Sequence, residues 1–152
     1  MNMNCVRSND FLFTESNSEK ILTTIRNGNI ADVFSKLSYY YDNILFLDYA
    51  YFKYIATRET YDSIMNYIIN NIDNILTTNP QFIVRVNMKG LSLVEIDKHK
   101  QFIQELSNYL KIKYPNKLSK CYMYNAPILF SQLLNIISTF VDKETQKKFE
   151  VL

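Results

Sequence analysis

The 152-residue sequence predicts a single α/β domain. Residues 81–125 run strand, capped helix, strand, and residues 58–76 carry the apolar stripe of a core-facing helix. No linker, internal repeat or low-complexity tract divides the chain. A strand–helix–strand unit has parallel strands and a right-handed crossover in nearly all known cases, so the domain is expected to contain a parallel sheet. Composition agrees: 47% hydrophobic and 21% charged residues are close to average globular usage, enough to fill a core. A chain of this length buries about two thirds of its unfolded surface.

Taken in order, Met1–Ser18 is polar apart from Phe11, Leu12 and Phe13 and is expected to be a flexible N-terminal segment, 1–18, ahead of one domain, 19–152. Ser18 can cap a short helix through Arg26, with Gly28 at the usual left-handed stop. Asn29 then caps a second helix carrying Ile30, Val33, Phe34 and Leu37, completing a helical preface over 19–38. Asn43–Tyr54 is dense in Ile, Leu, Phe and Tyr without helical spacing, which predicts one buried strand or two short ones. From Arg58 to Leu76, Tyr61, Ile64, Ile68, Ile72 and Ile75 recur at three- and four-residue steps; Thr57 is the expected cap.

Asn79-Pro80 ends that helix. Gln81–Met88 alternates as a strand, with Phe82, Val84 and Val86 on one face and Ile83, Arg85 and Asn87 on the other. After Gly90, Ser92-Leu93-Val94-Glu95 is a capping box opening a helix with an inward stripe of Ile96, Phe102, Ile103, Leu106 and Leu110, stopped by Tyr114-Pro115. Cys121–Asn125 is a short strand before Ala126-Pro127. Ile128–Val141 follows as a helix unusually apolar for a surface position. Asp142 caps one more turn through Lys148, and Phe149–Leu152 begins a last strand.

Several functions are disfavoured. Seventeen Lys and Arg against fifteen acids leave a formal charge of +2, too weak an imbalance to argue for nucleic acid. Cys5 and Cys121 are far apart and signal neither a disulfide scaffold nor a metal site, which suggests a reducing, cytoplasmic setting. No membrane-spanning run or signal-peptide core occurs. The single histidine, His99, lies between Lys98 and Lys100 and is expected on the solvated face of its helix. GxSxG, HExxH, GxGxxG and P-loop patterns are absent, and acids such as Asp48, Asp97 and Asp142 are not grouped, so the chain reads as no enzyme, with no cofactor and no metal. Asn, Ile, Lys and Tyr are so abundant that a lone asparagine carries little functional weight.

The order of signals from Pro80 onward is more specific than any one of them. Asn87-Met88-Lys89-Gly90, Tyr114-Pro115, Asn125-Ala126-Pro127, and Val141-Asp142-Lys143-Glu144-Thr145 through Lys148 resemble, in sequence and spacing, the CRAL-TRIO domain. That family comprises lipid-binding modules of phosphatidylinositol-transfer and tocopherol- or retinal-carrying proteins. The resemblance implies a mixed, mainly parallel sheet with helices on one face, forming the floor of an apolar pocket. Ile128–Val141 would be the gate helix above it.

By that likeness Phe82, Val84 and Val86 would line the floor, and Phe130, Leu133, Leu134, Ile137 and Phe140 the gate. Whether Cys121 and Met123 or Tyr122 and Tyr124 share the floor's face depends on register. Members that bind phosphatidylinositol pair a Glu just after Tyr-Pro with a Lys at the end of the gate. Here Asn116 and Lys148 hold those headgroup positions, so half of the pair is missing. Asn87 likewise stands where the family has a strand-end Asp. The family's later closing segment has no counterpart before Leu152, so the expectation is a shortened form. Two functions remain: a binder or carrier of lipid or another hydrophobic small molecule, with peripheral membrane contact, or a ligand-free interaction scaffold. Homo-oligomer formation suits both.

Overall fold

The structure, a computed structural model, describes residues 30–125 and 127–152. The expected segment 1–18, the helix after Ser18 and the Asn29 cap lie outside the described residues. Within them the order is α1 (Ile30–Leu37), β1 (Ser38–Tyr41), β2 (Ile44–Asp48), α2 (Tyr49–Ile55), α3 (Tyr61–Leu76), β3 (Phe82–Asn87), α4 (Leu93–Lys98), α5 (Lys100–Lys113), β4 (Leu118–Tyr124), a 3-10 turn (Pro127–Leu129), α6 (Phe130–Ile137), α7 (Lys143–Gln146) and β5 (Phe149–Val151).

The five strands form one sheet in chain order, β1-β2-β3-β4-β5. β1 and β2 make an antiparallel hairpin about Asp42-Asn43, where Asp42 takes a left-handed φ of 56°, a conformation Asp tolerates in tight turns. The other three pairings are parallel. Right-handed crossovers that each step to the next strand in the same direction must all pass over the same face. Helices α3, α5 and α6 accordingly cover one face of the sheet.

Register decides which side chains meet them. Leu45 pairs with Val84 and Leu47 with Val86; these pair in turn with Cys121 and Met123, and Cys121 pairs with Phe149. Cys121 and Met123, not Tyr122 and Tyr124, therefore share the helix-covered face. The opposite face is aromatic. There Tyr39 stacks on Phe46 at 4.9 Å between ring centroids, and the Arg85 guanidinium lies 5.7 Å from the Tyr122 ring.

Four expectations about elements are corrected. The apolar run after Asn43 is not strand throughout: the Asp48 carboxylate accepts from the Ala50 N–H at 3.0 Å, capping α2 and turning Tyr49–Ile55 into helix. The preface ends early, because Ser38 is already in β1, buried and accepting from the Asn71 side chain at 3.0 Å. α3 begins at Tyr61, not Arg58, because the Thr60 hydroxyl accepts from the Thr57 N–H at 2.8 Å and ties up the turn before it. The helix expected from Ser92 to Lys113 is two, broken at His99 (φ −103°, ψ 15°). Of the capping box only the serine half forms: the Ser92 hydroxyl accepts from the Glu95 N–H at 3.3 Å, while the Glu95 carboxylate is taken by Tyr49.

The expected gate helix is also shorter. A 3-10 turn precedes it and α6 closes at Ile137, leaving residues 138–141 as turn. Asp142 behaves as expected, accepting from the Thr145 N–H at 2.7 Å to start α7. The main core joins α3, which buries seven residues, to the helix-covered face of the sheet.

Candidate ligand cavity

Between that face and helices α3, α5 and α6 the packing leaves space. A cavity of about 490 Å³ has Leu45, Phe82, Val84, Val86, Cys121 and Met123 on its floor, Leu106 and Leu110 of α5 on one wall and Leu133 and Ile137 of α6 above. A second, of about 170 Å³, adjoins it toward Tyr49 and Glu95. The two share Leu47, Ile68, Val86, Met88, Phe102 and Leu133 among their lining. Leu47 and Val86 show the effect on packing: at the centre of the sheet, where a filled core would bury them fully, they are only half-buried.

Of the residues expected at the site, Phe82, Val84 and Val86 on the floor, Leu133, Ile137 and Phe140 above it, and Asn116 and Lys148 at its edge all line the larger cavity. Phe130 and Leu134 are not among its lining residues. At helical spacing α6 turns Leu133 and Ile137 inward, four residues apart, and both are buried while Phe130 and Leu134 are half-buried. Reading the apolar stripe as five equivalent positions missed this, because a helix of eight residues presents barely two turns to the floor.

The polar edge gathers at the N-terminal ends of the parallel strands. Asn116 takes a left-handed φ of 61° just before β4, and its carbonyl accepts from the Gln81 side chain at 3.2 Å. The Lys148 ammonium donates to the Leu118 carbonyl at 2.8 Å, fastening the chain after α7 to β4. Lys111, Ser107, Asp142 and Thr145 line the same edge. Asp142 is held below the usual carboxylate range chiefly by its bond from the Thr145 N–H, with Lys148 and Lys111 adding to the effect.

At the other end, the sequence reading of His99 is overturned. It is 2% exposed. Breaking the helix at His99 turns the ring inward, edge-on to Phe52 at 4.9 Å, with Nδ1 2.7 Å from the Tyr61 hydroxyl and Nε2 3.4 Å from the Glu95 carboxylate. Tyr49 donates to the same carboxylate at 2.7 Å. That bond is the main reason the Glu95 carboxyl sits below its ordinary range, and burial pushes the His99 ring below the usual value for histidine despite the pull of Glu95.

Three asparagines, two of them in the motifs at Asn87 and Asn125, also prove structural. Asn87 is fully buried, donating to Asp48 at 3.3 Å and accepting from the Lys89 N–H at 3.1 Å and from Asn125 at 2.8 Å; Asn71 holds Ser38. Their signal was position, at strand ends and on a helix's inner face, not residue type. Cys121, on the floor, is buried, and its thiol is pushed up to about 12 by desolvation. Among the described residues no three His, Cys, Asp or Glu side chains are placed to hold a metal, and no helix is long and apolar enough to cross a membrane.

A family model described as "CRAL/TRIO domain" matches residues 44–152. The chain is similar to the Sec14 cytosolic factor of Schizosaccharomyces pombe, 33% identical over 67 residues, which is 44% of this chain and 23% of that protein. It is 42% identical over 65 residues to a protein of Candida glabrata named "Phosphatidylinositol transfer protein SFH5", covering 42% of this chain and 22% of the relative. The matched part thus spans under a quarter of these relatives' length. A solved structure titled "Crystal structure of Sfh5" shares the fold, with a TM-score of 0.63 at 24% identity over 72% of this chain and 41% of that one.

Proposed function

The chain belongs to the CRAL/TRIO domain family, and from that premise we propose that it binds a lipid or other small hydrophobic ligand beneath α6, as a carrier that performs no chemical step. The observation that supports this most directly is the cavity of about 490 Å³ between sheet and gate, within the range of about 300–1,000 Å³ usual for small-molecule sites. Each methylene that a ligand buries there is worth about 0.8 kcal/mol. The floor is Phe82, Val84 and Val86, the cover Leu133, Ile137 and Phe140, and Asn116 and Lys148 flank the headgroup end.

The cover is built to move. α6 has no side-chain cap at its N-terminus and two buried residues, so packing on its neighbours is most of what holds it. Ile128, 85% exposed just before it, gives the gate an apolar point for touching a membrane from the cytoplasmic side. The phosphatidylinositol transfer named for one relative supports movement of lipid between membranes. Asn116 in place of an acid weakens orientation of Lys148 and so the selectivity for inositol headgroups. A sheet and gate in full contact would have favoured the ligand-free scaffold; the space between them favours a carrier.

Native mass spectrometry of the purified protein tests this. The expected spectrum contains a co-purified apolar species, absent from Phe140→Asp, which charges the cavity wall at a half-buried position, and retained by Leu134→Asp, off the cavity. Far-UV circular dichroism should show both variants folded. An empty protein that also takes up no lipid from vesicles, while light scattering shows a dimer or larger assembly, would establish the scaffold instead.

A further inference from the structure

We propose that residues 18–26 lie as a helix across the back of the sheet, the face turned away from the cavity, and give the domain a third layer. This concerns the face opposite the cavity and is independent of the carrier reading.

The starting point is a second, smaller core. Ile44 and Phe46 of β2 are 4% and 0% exposed, and the apolar side chains packed against them are Tyr39, Tyr41, Ile83 and Tyr124. All six are strand residues on the aromatic face. Neighbours within a sheet flank a side chain but cannot roof it, so a ring at the middle of an uncovered face keeps part of its surface in water. Tyr39, stacked on Phe46 at 4.9 Å, shields one side of the ring only. A further layer must lie over Phe46.

Burial along the face shows where that layer sits. It is complete at Ile44 and Phe46, partial at Ile83, Arg85 and Tyr122, and gone at Lys120 and Glu150 toward β5. The covered strip from β1 to β3 is two strand spacings wide, about 10 Å at roughly 4.8 Å each, which is the width of one helix. Among the described residues no helix supplies it. The buried apolar residues of α1 to α5 belong to the main core, α6 covers the cavity and α7 buries none.

The burial is that of a single chain, so the layer belongs to the chain itself and to neither a second copy nor a membrane. Outside the described residues are 1–29 and Ala126, a lone methyl past the end of β4. Residues 1–29 end where α1 begins, and α1 runs straight into β1, so this segment enters at the edge of the sheet beside the covered strip. Asn27, Gly28 and Asn29 can span about 10 Å, the thickness of one layer. Ahead of them, Ile21, Leu22 and Ile25 fall on one side of a helix opened by Ser18 and stopped at Gly28, with Lys20 and Thr23 on the other. Nine helical residues measure about 13 Å and the five of β2 about 17 Å, so the stripe lies along Ile44 and Phe46 over most of the strand.

The chain contains no Trp, so Tyr124→Trp in the full chain gives a single fluorescent reporter beside the strip, and Tyr41→Trp a second at its other side. Both should emit as buried indoles and resist quenching by iodide. Leu22→Asp combined with Ile25→Asp should move the emission to that of indole in water and open the reporter to iodide, while Thr23→Asp, on the far side of the helix, changes neither. The milder pair Leu22→Ala with Ile25→Ala should move it part of the way, which decides the question if the charged pair fails to fold by circular dichroism. Reporters exposed from the outset, or protected but unmoved by either pair, would overturn the proposal. Protection that fades on dilution would overturn it in favour of a second copy on the same face.

Discussion

His99 is the residue whose environment most changes what the chain does with pH. Its ring is enclosed by Phe52, Tyr61 and Glu95 and its proton affinity is lowered, so the neutral form is favoured in the fold. Below about pH 6.5, the value of an unperturbed histidine, the unfolded chain takes up a proton that the folded ring refuses. The stability associated with this site is thus complete above that pH, falls as pH drops, and levels once the folded ring also protonates. Glu95 contributes in a separate, more acidic window, since a carboxyl with a lowered value keeps its contribution until pH falls below the ordinary carboxylate range. Urea midpoints between pH 7.5 and 5.5 should therefore decline for the native chain and stay nearly flat for His99→Gln. Equal slopes for the two would place the pH dependence elsewhere. The sequence hid this because Lys98 and Lys100 flank His99 and an unbroken helix would turn it outward with them; the break at His99 is a tertiary effect of the aromatic rings packed against it. Asn87 was legible as a strand-end position but not as a hub, because its partners are far apart in sequence: its buried amide joins Asp48 to Asn125 across three strand ends.

At the scale of elements, legibility followed the strength of local signals. The alternation of β3, the cap at Ser92 and the stop at Tyr114-Pro115 each rest on backbone chemistry within a few residues, and they stand where the sequence put them. The hairpin β1–β2 and the helix α2 were not separable, since their apolar residues face both sides of a covered sheet and erase the period that would tell strand from helix. The gate was legible as too apolar for water, but its length was not, because nothing local fixes its ends: the residue before α6, Leu129, offers no side-chain cap. That difference carries a kinetic expectation. α3 buries seven residues along sixteen, α6 two along eight. Amide hydrogen exchange should be slowest in α3 and markedly faster in α6, with ligand slowing α6 far more than α3. Equal protection of the two helices in the ligand-free protein would mean that α6 is fixed packing and not a cover.

On the scale of the whole molecule, the carrier reading makes a ligand an additional component of the core, filling the space between floor and helices. The crossovers lie on one face, as the parallel order of β2 to β5 requires, so α3, α5 and α6 arch over the same strands; α3 buries seven residues and turns Ile68 to the cavity, while the space opens mainly beneath α5 and α6. No sequence pattern distinguishes an apolar side chain that meets another from one that meets a void, which is why Val84 and Ile64 read alike although only Val84 lines the cavity. The distinction is thermodynamic and can be measured as such. A ligand that binds only the folded chain stabilises it by about 2.7 kcal/mol when present at 100 times its dissociation constant. For a chain of this size each kcal/mol moves the thermal midpoint by about 2–4 °C, so saturation should raise it by about 5–10 °C over the delipidated protein. Phe140→Asp should abolish the rise while leaving the ligand-free midpoint little changed, since that side chain is half-buried at the cavity wall. A midpoint indifferent to every lipid tried, in a protein whose circular dichroism is native, would show that the space beneath α6 closes in solution and that the sheet and its helices are sufficient by themselves.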